Sequence, residues 1–438
     1  MTAGRRETRR VLVSSFVGTM IEWYDFFLYG SAAALVFGPQ FFPKLSPTAG
    51  VLASLATFAV GFVARPLGGV VMAHYGDRLG RKSSLVASLV MMGTATVLIG
   101  LLPPYSAIGV AAPILLTLLR FVQGIGIGGE WGGAALMAVE HAPKRKRGLY
   151  GSAPQMGVPA GLILATFAFL GTTAATSPQQ FASWAWRIPF VASSLLIVVA
   201  LAIRLKVAES PLFVHSRQQG ELQGRAPIRE ILRKHKRTVA IAAGSFIANN
   251  AVGYLFMVYT LSYGTSVLKV SRQSMLAAVL VGAVVWLAMI PLCALLSDRY
   301  GRRRLYLVGA TAMLVWSTVY FLLIDSRNPV LIVVAVGLMA LGLAATYAPQ
   351  SALFAELFPT NVRYTGSSLA YQAGAILGGG PASLVATALH GATGSSWPVM
   401  AYMSGLCLVS LLCVLLLRET RHDELGATAV VRSAKADL

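Results

Sequence analysis

The chain has 438 residues, of which 56% are apolar and only 12% charged, and its mean hydropathy is +0.68. Soluble domains carry about 25% charged residues, so this balance excludes a soluble enzyme, a disordered chain and a disulfide scaffold. A net charge of +20 invites a nucleic-acid reading, which its placement along the chain removes.

Taken in chain order, apolar runs mark twelve spans, at residues 11–37, 50–75, 84–102, 110–138, 149–171, 184–205, 239–266, 274–296, 305–324, 330–352, 364–390 and 396–417. Each is close to the roughly 20 residues that a helix needs to cross a bilayer. None alternates with the period of two that marks a barrel strand. The expected fold is all-α and polytopic, with 12 transmembrane helices. Arg5 to Arg10 followed by Val11 to Met20 imitates a signal sequence. The run continues past Glu22 and Asp25 to Phe37 with no convincing cleavage site, so it reads as a retained first span. The largest polar interval, residues 206–238, is read as a cytoplasmic central loop between a first six-helix bundle (1–205) and a second (239–417). Residues 418–438 form a polar tail expected to be disordered. Cys293, Cys407 and Cys413 fall in apolar runs, and no CxxC or Cys/His spacing points to a disulfide framework or a metal site.

Lys and Arg are sorted by side. With the N-terminus placed in the cytoplasm, 29 of the 36 lie in cytoplasmic segments, Arg204 among them, and 5 lie outside. Only Arg65 and Arg120 remain within spans. The positive-inside rule predicts this skew when both termini are cytoplasmic. Basic charge here sets orientation, the partner is membrane lipid, and nucleic acid is not expected.

Two short elements recur at matching points of the two halves. Asp77-Arg78-Leu79-Gly80-Arg81-Lys82 after span 2 returns as Asp298-Arg299-Tyr300-Gly301-Arg302-Arg303 after span 8. Glu140-x-x-Pro143-x-x-x-Arg147 returns as Glu356-x-x-Pro359-x-x-x-Arg363. The offsets are 221 and 216 positions, which argues for duplicated six-helix bundles. Glu209-Ser210-Pro211 has a weaker echo in Glu419-Thr420. Parallel repeats about an axis normal to the membrane are the architecture of major facilitator carriers, and the D-R-x-G-R-K stretch resembles the loop motif of that superfamily. More locally, Gly18-Thr-Met-Ile-Glu22-Trp-Tyr-Asp25-Phe-Phe-Leu-Tyr29-Gly30, Arg65-Pro-Leu-Gly-Gly69 and Arg120-x-x-Gln123-Gly-x-Gly-x-Gly-Gly-Glu130-Trp-Gly-Gly133 look like the metabolite–proton symporter family. That family includes carriers for proline/betaine, α-ketoglutarate, shikimate and citrate. The resemblance spans essentially the whole chain. It implies a small-molecule substrate between the bundles, no cofactor beyond a proton gradient, and a monomer in the cytoplasmic membrane of a bacterium.

An ionisable residue inside a span costs several kcal/mol and is functional by default. Glu22, Asp25 and Tyr29 stand three and four apart on one face of span 1. Arg65 lies in span 2, and Arg120 and Glu130 in span 4. A carboxylate that meets a cation in one state only becomes a proton switch. Asp25 is the expected proton carrier with Arg120 as its electrostatic partner, Glu22 is its rival, and Arg65 is expected to hold a substrate carboxylate. The competing reading has these charges pair simply to hold helices together.

Gly124-Ile-Gly126-Ile-Gly128-Gly129 satisfies GxGxxG but lies within an apolar span with no strand before it, so a dinucleotide site is rejected. Its four-residue glycine spacing suits close helix contact instead, as do Gly374 and Gly378 to Gly380. No G-x-x-x-x-G-K-[ST] supports an ATP-driven pump. In the second half Asn249 and Tyr371 are candidate substrate contacts, with Asn250, Tyr254, Tyr259, Tyr347, Gln350 and Gln372 weaker. Adjacent residues face different ways, so at most one of Asn249 and Asn250 faces a cavity. The loop elements supply candidate gating charges: Asp77, Arg81, Glu140 and Arg147 from the first half, Asp298, Arg302, Glu356 and Arg363 from the second. The function expected is proton-coupled uptake of a small organic acid. Zwitterion uptake, efflux of an organic molecule and a membrane sensor are the alternatives, and no catalytic constellation supports an enzyme.

Overall fold

The structure, a computed structural model, describes residues 3–79, 81–205, 227–359, 362–423 and 425. The described residues are 88% helical and include no strand. Twelve spans follow one another. Span 1 is Ala3–Leu35, span 2 Pro47–Leu79, span 3 Arg81–Leu101, span 5 Arg147–Ala175 and span 6 Ile188–Leu205. Span 8 is Arg272–Tyr300, span 9 Arg302–Asp325, span 11 Arg363–Thr393 and span 12 Trp397–Leu416. The other three are interrupted. Span 4 runs as Ala111–Gly128 and then Glu130–Glu140, and span 10 as Pro329–Tyr347 and then Gln350–Leu357. Span 7 passes from Lys236–Tyr254 through a π-helical turn at Leu255–Tyr259 into Thr260–Ser266. Among the described residues, ten helices are long and apolar enough to cross a membrane, and Leu85–Leu101 is a shorter apolar one. Span 11 completes the twelve.

Several helices outrun their apolar runs: span 1 begins eight residues before Val11, and span 2 ends at Leu79. Backbone hydrogen bonding continues where hydropathy stops. Within residues 206–238 the structure places a further helix, Pro227–Lys234, which buries Ile231 and packs against span 11. Residues 206–226, where the rest of that loop falls, lie outside the described residues. Spans 8 and 9 join through Gly301 alone, at φ +111°, a conformation that side chains with a Cβ rarely adopt.

Packing repeats between the halves. Span 1 packs on span 5 and span 7 on span 11; span 2 packs on span 4 and span 8 on span 10; span 3 packs on span 6 and span 9 on span 12. Between halves, span 5 meets span 8 and span 2 meets span 11. The glycine spacing read from the sequence makes some of these seams. A Cβ on Gly124 or Gly128 would collide with the backbone of Gly61 or Arg65, and one on Gly374 or Gly378 with that of Ala243 or Ile247. The breaks in spans 4 and 10 fall at equivalent points. Pro349 lacks the amide that would continue its helix, and Gly129 ends the first part of span 4.

Candidate functional site

The middle of the first half holds the ionisable residues singled out from the sequence. Glu22, Asp25, Tyr29, Arg65, Arg120 and Glu130 are all buried, none more than 2% exposed. Among the described residues, neither Arg65 nor Arg120 is ion-paired with an acid. The Arg65 guanidinium lies over the rings of Phe26 (4.5 Å), Phe62 (4.6 Å) and Trp23 (5.3 Å). Arg120 lies over Phe26 (4.2 Å), Tyr29 (4.4 Å) and Phe58 (4.7 Å). Ring faces attract cations at such distances, so Phe26 carries a guanidinium on both accounts. Tyr254 of span 7 closes this box from the other half, 5.0 Å from Phe62 and 5.6 Å from Phe26 between ring centroids.

The expected Asp25–Arg120 partnership is absent as an ion pair among the described residues. Arg120 Nη1 donates instead to Gln123 Oε1 (2.5 Å), and Gln123 Nε2 donates to Thr96 Oγ1 (2.7 Å). Thr96 is the polar neighbour of Asp25, yet its hydroxyl donates to Met92 O (3.0 Å). Both Asp25 oxygens lack a hydrogen-bond partner, as do Glu22 Oε2 and the Nε and Nη2 of both Arg65 and Arg120. Tyr29 shares a hydrogen bond with Thr57 (2.7 Å).

Glu130 does not belong to that group. It is ion-paired with Arg204 of span 6, a residue the charge count assigns to the cytoplasmic loops. Arg204 is buried and also donates to Leu85 O (2.8 Å). The sequence held a signal for it, since Arg204 falls inside the apolar run 184–205.

The second half contributes a hydrogen-bonded aromatic wall. Tyr371 stacks on Trp131 of span 4 with centroids 3.8 Å apart and planes at 12°. Trp131 Nε1 donates to Gln155 Oε1 (2.9 Å), and Gln155 Nε2 to Tyr347 O across the halves (3.0 Å). The Tyr347 and Tyr371 hydroxyls are 3.4 Å apart. Around the break in span 4, Gly128 O accepts from Gln372 Nε2 (2.8 Å) and Gly129 O from Tyr364 Oη (2.9 Å), both on span 11. Asn249, expected at the substrate, is turned into its own half: its Nδ2 donates to Thr346 Oγ1 (2.7 Å) and Leu343 O (3.2 Å). Asn250 is the amide of the pair with a free oxygen, beside Gly379. Trp131, Gln155 and Gln123 were not singled out as contacts, although Trp131 and Gln123 stand in the quoted motif of span 4.

At the end of the bundle that holds the loop elements, charges pair across the halves. Asp298 accepts from the backbone amides of Gly148 and Leu149, both at 2.9 Å, and so caps the start of span 5. Arg302 holds Asp298 (2.6 Å) and reaches Glu356 (3.5 Å). Arg147 meets Glu356 at 3.6 Å, and Arg363 meets Glu140 at 4.0 Å. The side chains of Asp77 and Arg81 lie outside the described residues.

The start of the tail is not free, against the expectation for residues 418–438. Glu419 accepts from the amides of Arg302 (2.9 Å) and Arg303 (3.1 Å), and Thr420 Oγ1 donates to Glu356 (2.7 Å). Asp423 O accepts from Arg147 (2.7 Å) and Leu425 O from Arg363 (3.0 Å). A polar segment reads as solvated, but its carbonyls and carboxylates serve arginines whose donors exceed what the acids supply. Residues 426–438 lie outside the described residues.

Comparison with known proteins decides the family. The model of the Major Facilitator Superfamily matches residues 15–379 and 283–436. The chain belongs to that superfamily. It is 42% identical over 423 residues to the inner membrane metabolite transport protein YhjE of Escherichia coli strain K12, covering 95% of each chain. It is 39% identical over 426 residues to the shikimate transporter of the same strain, covering 96% of this chain and 97% of that one. A structure of the proton:xylose symporter XylE bound to 6-bromo-6-deoxy-D-glucose superposes with a TM-score of 0.79 at 17% identity, covering 98% and 99% of the two chains. The last likeness is one of fold. The chain is therefore a multi-pass membrane transporter of metabolites and not an enzyme, and the resemblance read from its motifs holds.

Proposed function

We propose that this carrier takes up a small organic acid together with a proton, by alternating access across a bacterial cytoplasmic membrane with both termini inside. The observation that carries the reading is the set of unmatched charges at the centre: two guanidiniums and two carboxyls, all buried, with donors and acceptors left unused. An unpaired charge in a low-dielectric interior is costly, so a site that keeps four of them is prepared for a partner. A substrate carboxylate takes the free Nε and Nη2 donors of Arg65, whose fork matches it in a bidentate pair. Arg65 and Arg120 then balance Glu22 and Asp25, and the incoming carboxylate adds one negative charge. A proton on Asp25, or on its rival Glu22, restores the balance and lets the loaded carrier reorient. The stoichiometry this supports is one proton for each carboxylate charge.

Zwitterion uptake, the alternative drawn from the proline/betaine resemblance, has one observation in its favour. The Trp23, Phe26, Phe58, Phe62 and Tyr254 box has the ring faces that a quaternary ammonium needs. Those faces already carry the guanidiniums of Arg65 and Arg120, which favours an acid without its own cation. The network at Asp298, Arg302, Glu356, Arg147, Glu140 and Arg363 acts as the cytoplasmic gate, closed in this conformation.

The test is uptake into proteoliposomes of purified carrier. A thermal-shift screen of small carboxylates and betaines chooses the substrate. Accumulation is expected to require an inward proton gradient and to vanish when the pH gradient and membrane potential are both collapsed. Accumulation that persists unchanged under those conditions sinks the proton-coupled reading.

A further inference from the structure

Arg204 occupies a position that a structural ion pair does not explain. It lies one residue from the end of span 6, buried, with Nη2 on Glu130 and Nη1 on Leu85 O. Its guanidinium packs against Gly18 of span 1, where a Cβ would collide with Nη2, Nε and Cζ. Glu22 stands one helical turn beyond Gly18 on the same face. The cations that act on Glu22 are Arg65 of span 2 and Arg204. The other titratable groups around it are Asp25 on its own helix, Tyr347 of span 10 and Tyr371 of span 11. One guanidinium thus stands between two buried acids, and each acid keeps an oxygen with no hydrogen-bond partner.

We propose that Arg204 is a positioning residue of the transport cycle, shared between Glu130 and Glu22, so that its hold on Glu130 sets the charge of the Glu22–Asp25 pair. Held by Glu130 as observed, it is only partly available to Glu22, and the acid pair is ready for a proton. Shifted along the Gly18 face of span 1 towards Glu22, it supports an ionised Glu22, and the proton is released. A pair serving only to fasten span 4 to span 6 needs Gly18 for room but does not need the second acid. The proposal rests on the proton-coupled reading above.

The test is the pH profile of uptake in proteoliposomes for four variants. Glu130→Gln frees the cation for Glu22, which favours the ionised acid, so the alkaline limb of uptake is expected to move to lower pH by about one unit. Arg204→Gln removes the cation and is expected to move the limb to higher pH. The double variant is expected to fall between the two, near wild type, and Arg204→Lys, which keeps the charge, to keep the wild-type limb. Single variants that lower the maximal rate while the limb stays put, or that both move it the same way, overturn the proposal. If Arg204→Gln fails to assemble because Glu130 is stranded, the downward shift in Glu130→Gln and its return in the double variant carry the test. A wild-type carrier with no pH limb overturns the proton-coupled reading and this proposal with it. A wild-type limb that the variants leave in place overturns this proposal alone.

Discussion

Two sets of buried arginines in this carrier meet opposite surroundings. At the loop-motif end Arg147, Arg302 and Arg363 each face a carboxylate, within 2.6 to 4.0 Å. In the centre Arg65 and Arg120 face aromatic rings, and the nearby acids Glu22 and Asp25 keep oxygens with no partner. Breaking a buried pair costs about 3–5 kcal/mol, whereas making one gains little beyond the desolvation it requires. Matched pairs therefore suit a contact that forms and breaks as two halves rock, because exchange with water nearly balances it. Unmatched charges suit a site completed by a ligand. Under the function proposed above, the two regions do different work: a latch at the loop-motif end, binding and coupling at the centre.

The sharpest way to break this comparison is Arg65→Lys. If Arg65 awaits a carboxylate, losing the bidentate fork removes a charge-assisted contact that Lys cannot reproduce. A loss of about 1.5–3 kcal/mol weakens apparent affinity roughly tenfold to a hundredfold, while the protein still reaches the membrane. Uptake kinetics check it, and an unchanged apparent affinity assigns Arg65 to packing against its rings.

Asp25→Asn separates binding from coupling. The amide imitates the protonated acid, so the variant is expected to bind and exchange substrate across the membrane yet fail to accumulate it against a gradient. The same pair of assays on Glu22→Gln decides between the two acids. Normal accumulation by Asp25→Asn with an unchanged pH profile makes Asp25 structural.

At the latch, Glu356 is the residue on which Arg147, Arg302 and Thr420 converge. Glu356→Gln removes the pair with Arg147, which joins the halves only while they are closed there, so it is expected to shift the carrier towards the inward-open state. Labelling of cysteines placed in the cytoplasmic vestibule should rise several-fold and labelling in the outer vestibule should fall. Equal rates in variant and parent leave Glu356 as a topology marker.

Much of this was legible in the sequence, and the misses share a cause. The twelve spans, the repeated loop elements and the intramembrane charges follow from hydropathy, spacing and residue type, which are local properties. Partner choice is not local. Arg120 turns to Gln123, three residues on, where an acid on another helix was expected. Arg204 resembles a loop arginine because a charge near a helix end satisfies the positive-inside rule whichever way its side chain points. Asn249 and Asn250 are indistinguishable by composition, and only the rotation of span 7 sends one to Thr346. The breaks in spans 4 and 10 interrupt runs whose apolar character is continuous, and they matter because Gly128 O and Gly129 O become acceptors for the opposite half.

The smallest effect is expected where the tail meets the latch. Glu419 caps the start of span 9 by accepting from the amides of Arg302 and Arg303, and loss of such a cap costs about 1 kcal/mol. The contact lies within the second half, on the same Arg302 that holds Asp298, and through it the start of span 5. Glu419→Ala should therefore loosen the latch without touching the central charges. Apparent affinity and the dependence on the proton gradient stay as in the parent, and cytoplasmic cysteine labelling rises by less than in Glu356→Gln. Combining the two substitutions shows whether tail and latch are one device. Neighbours in one network do not add, so the double variant should label little faster than Glu356→Gln alone. Simple addition of the two effects would place the tail on an independent surface and confine the latch to the charges of the two halves.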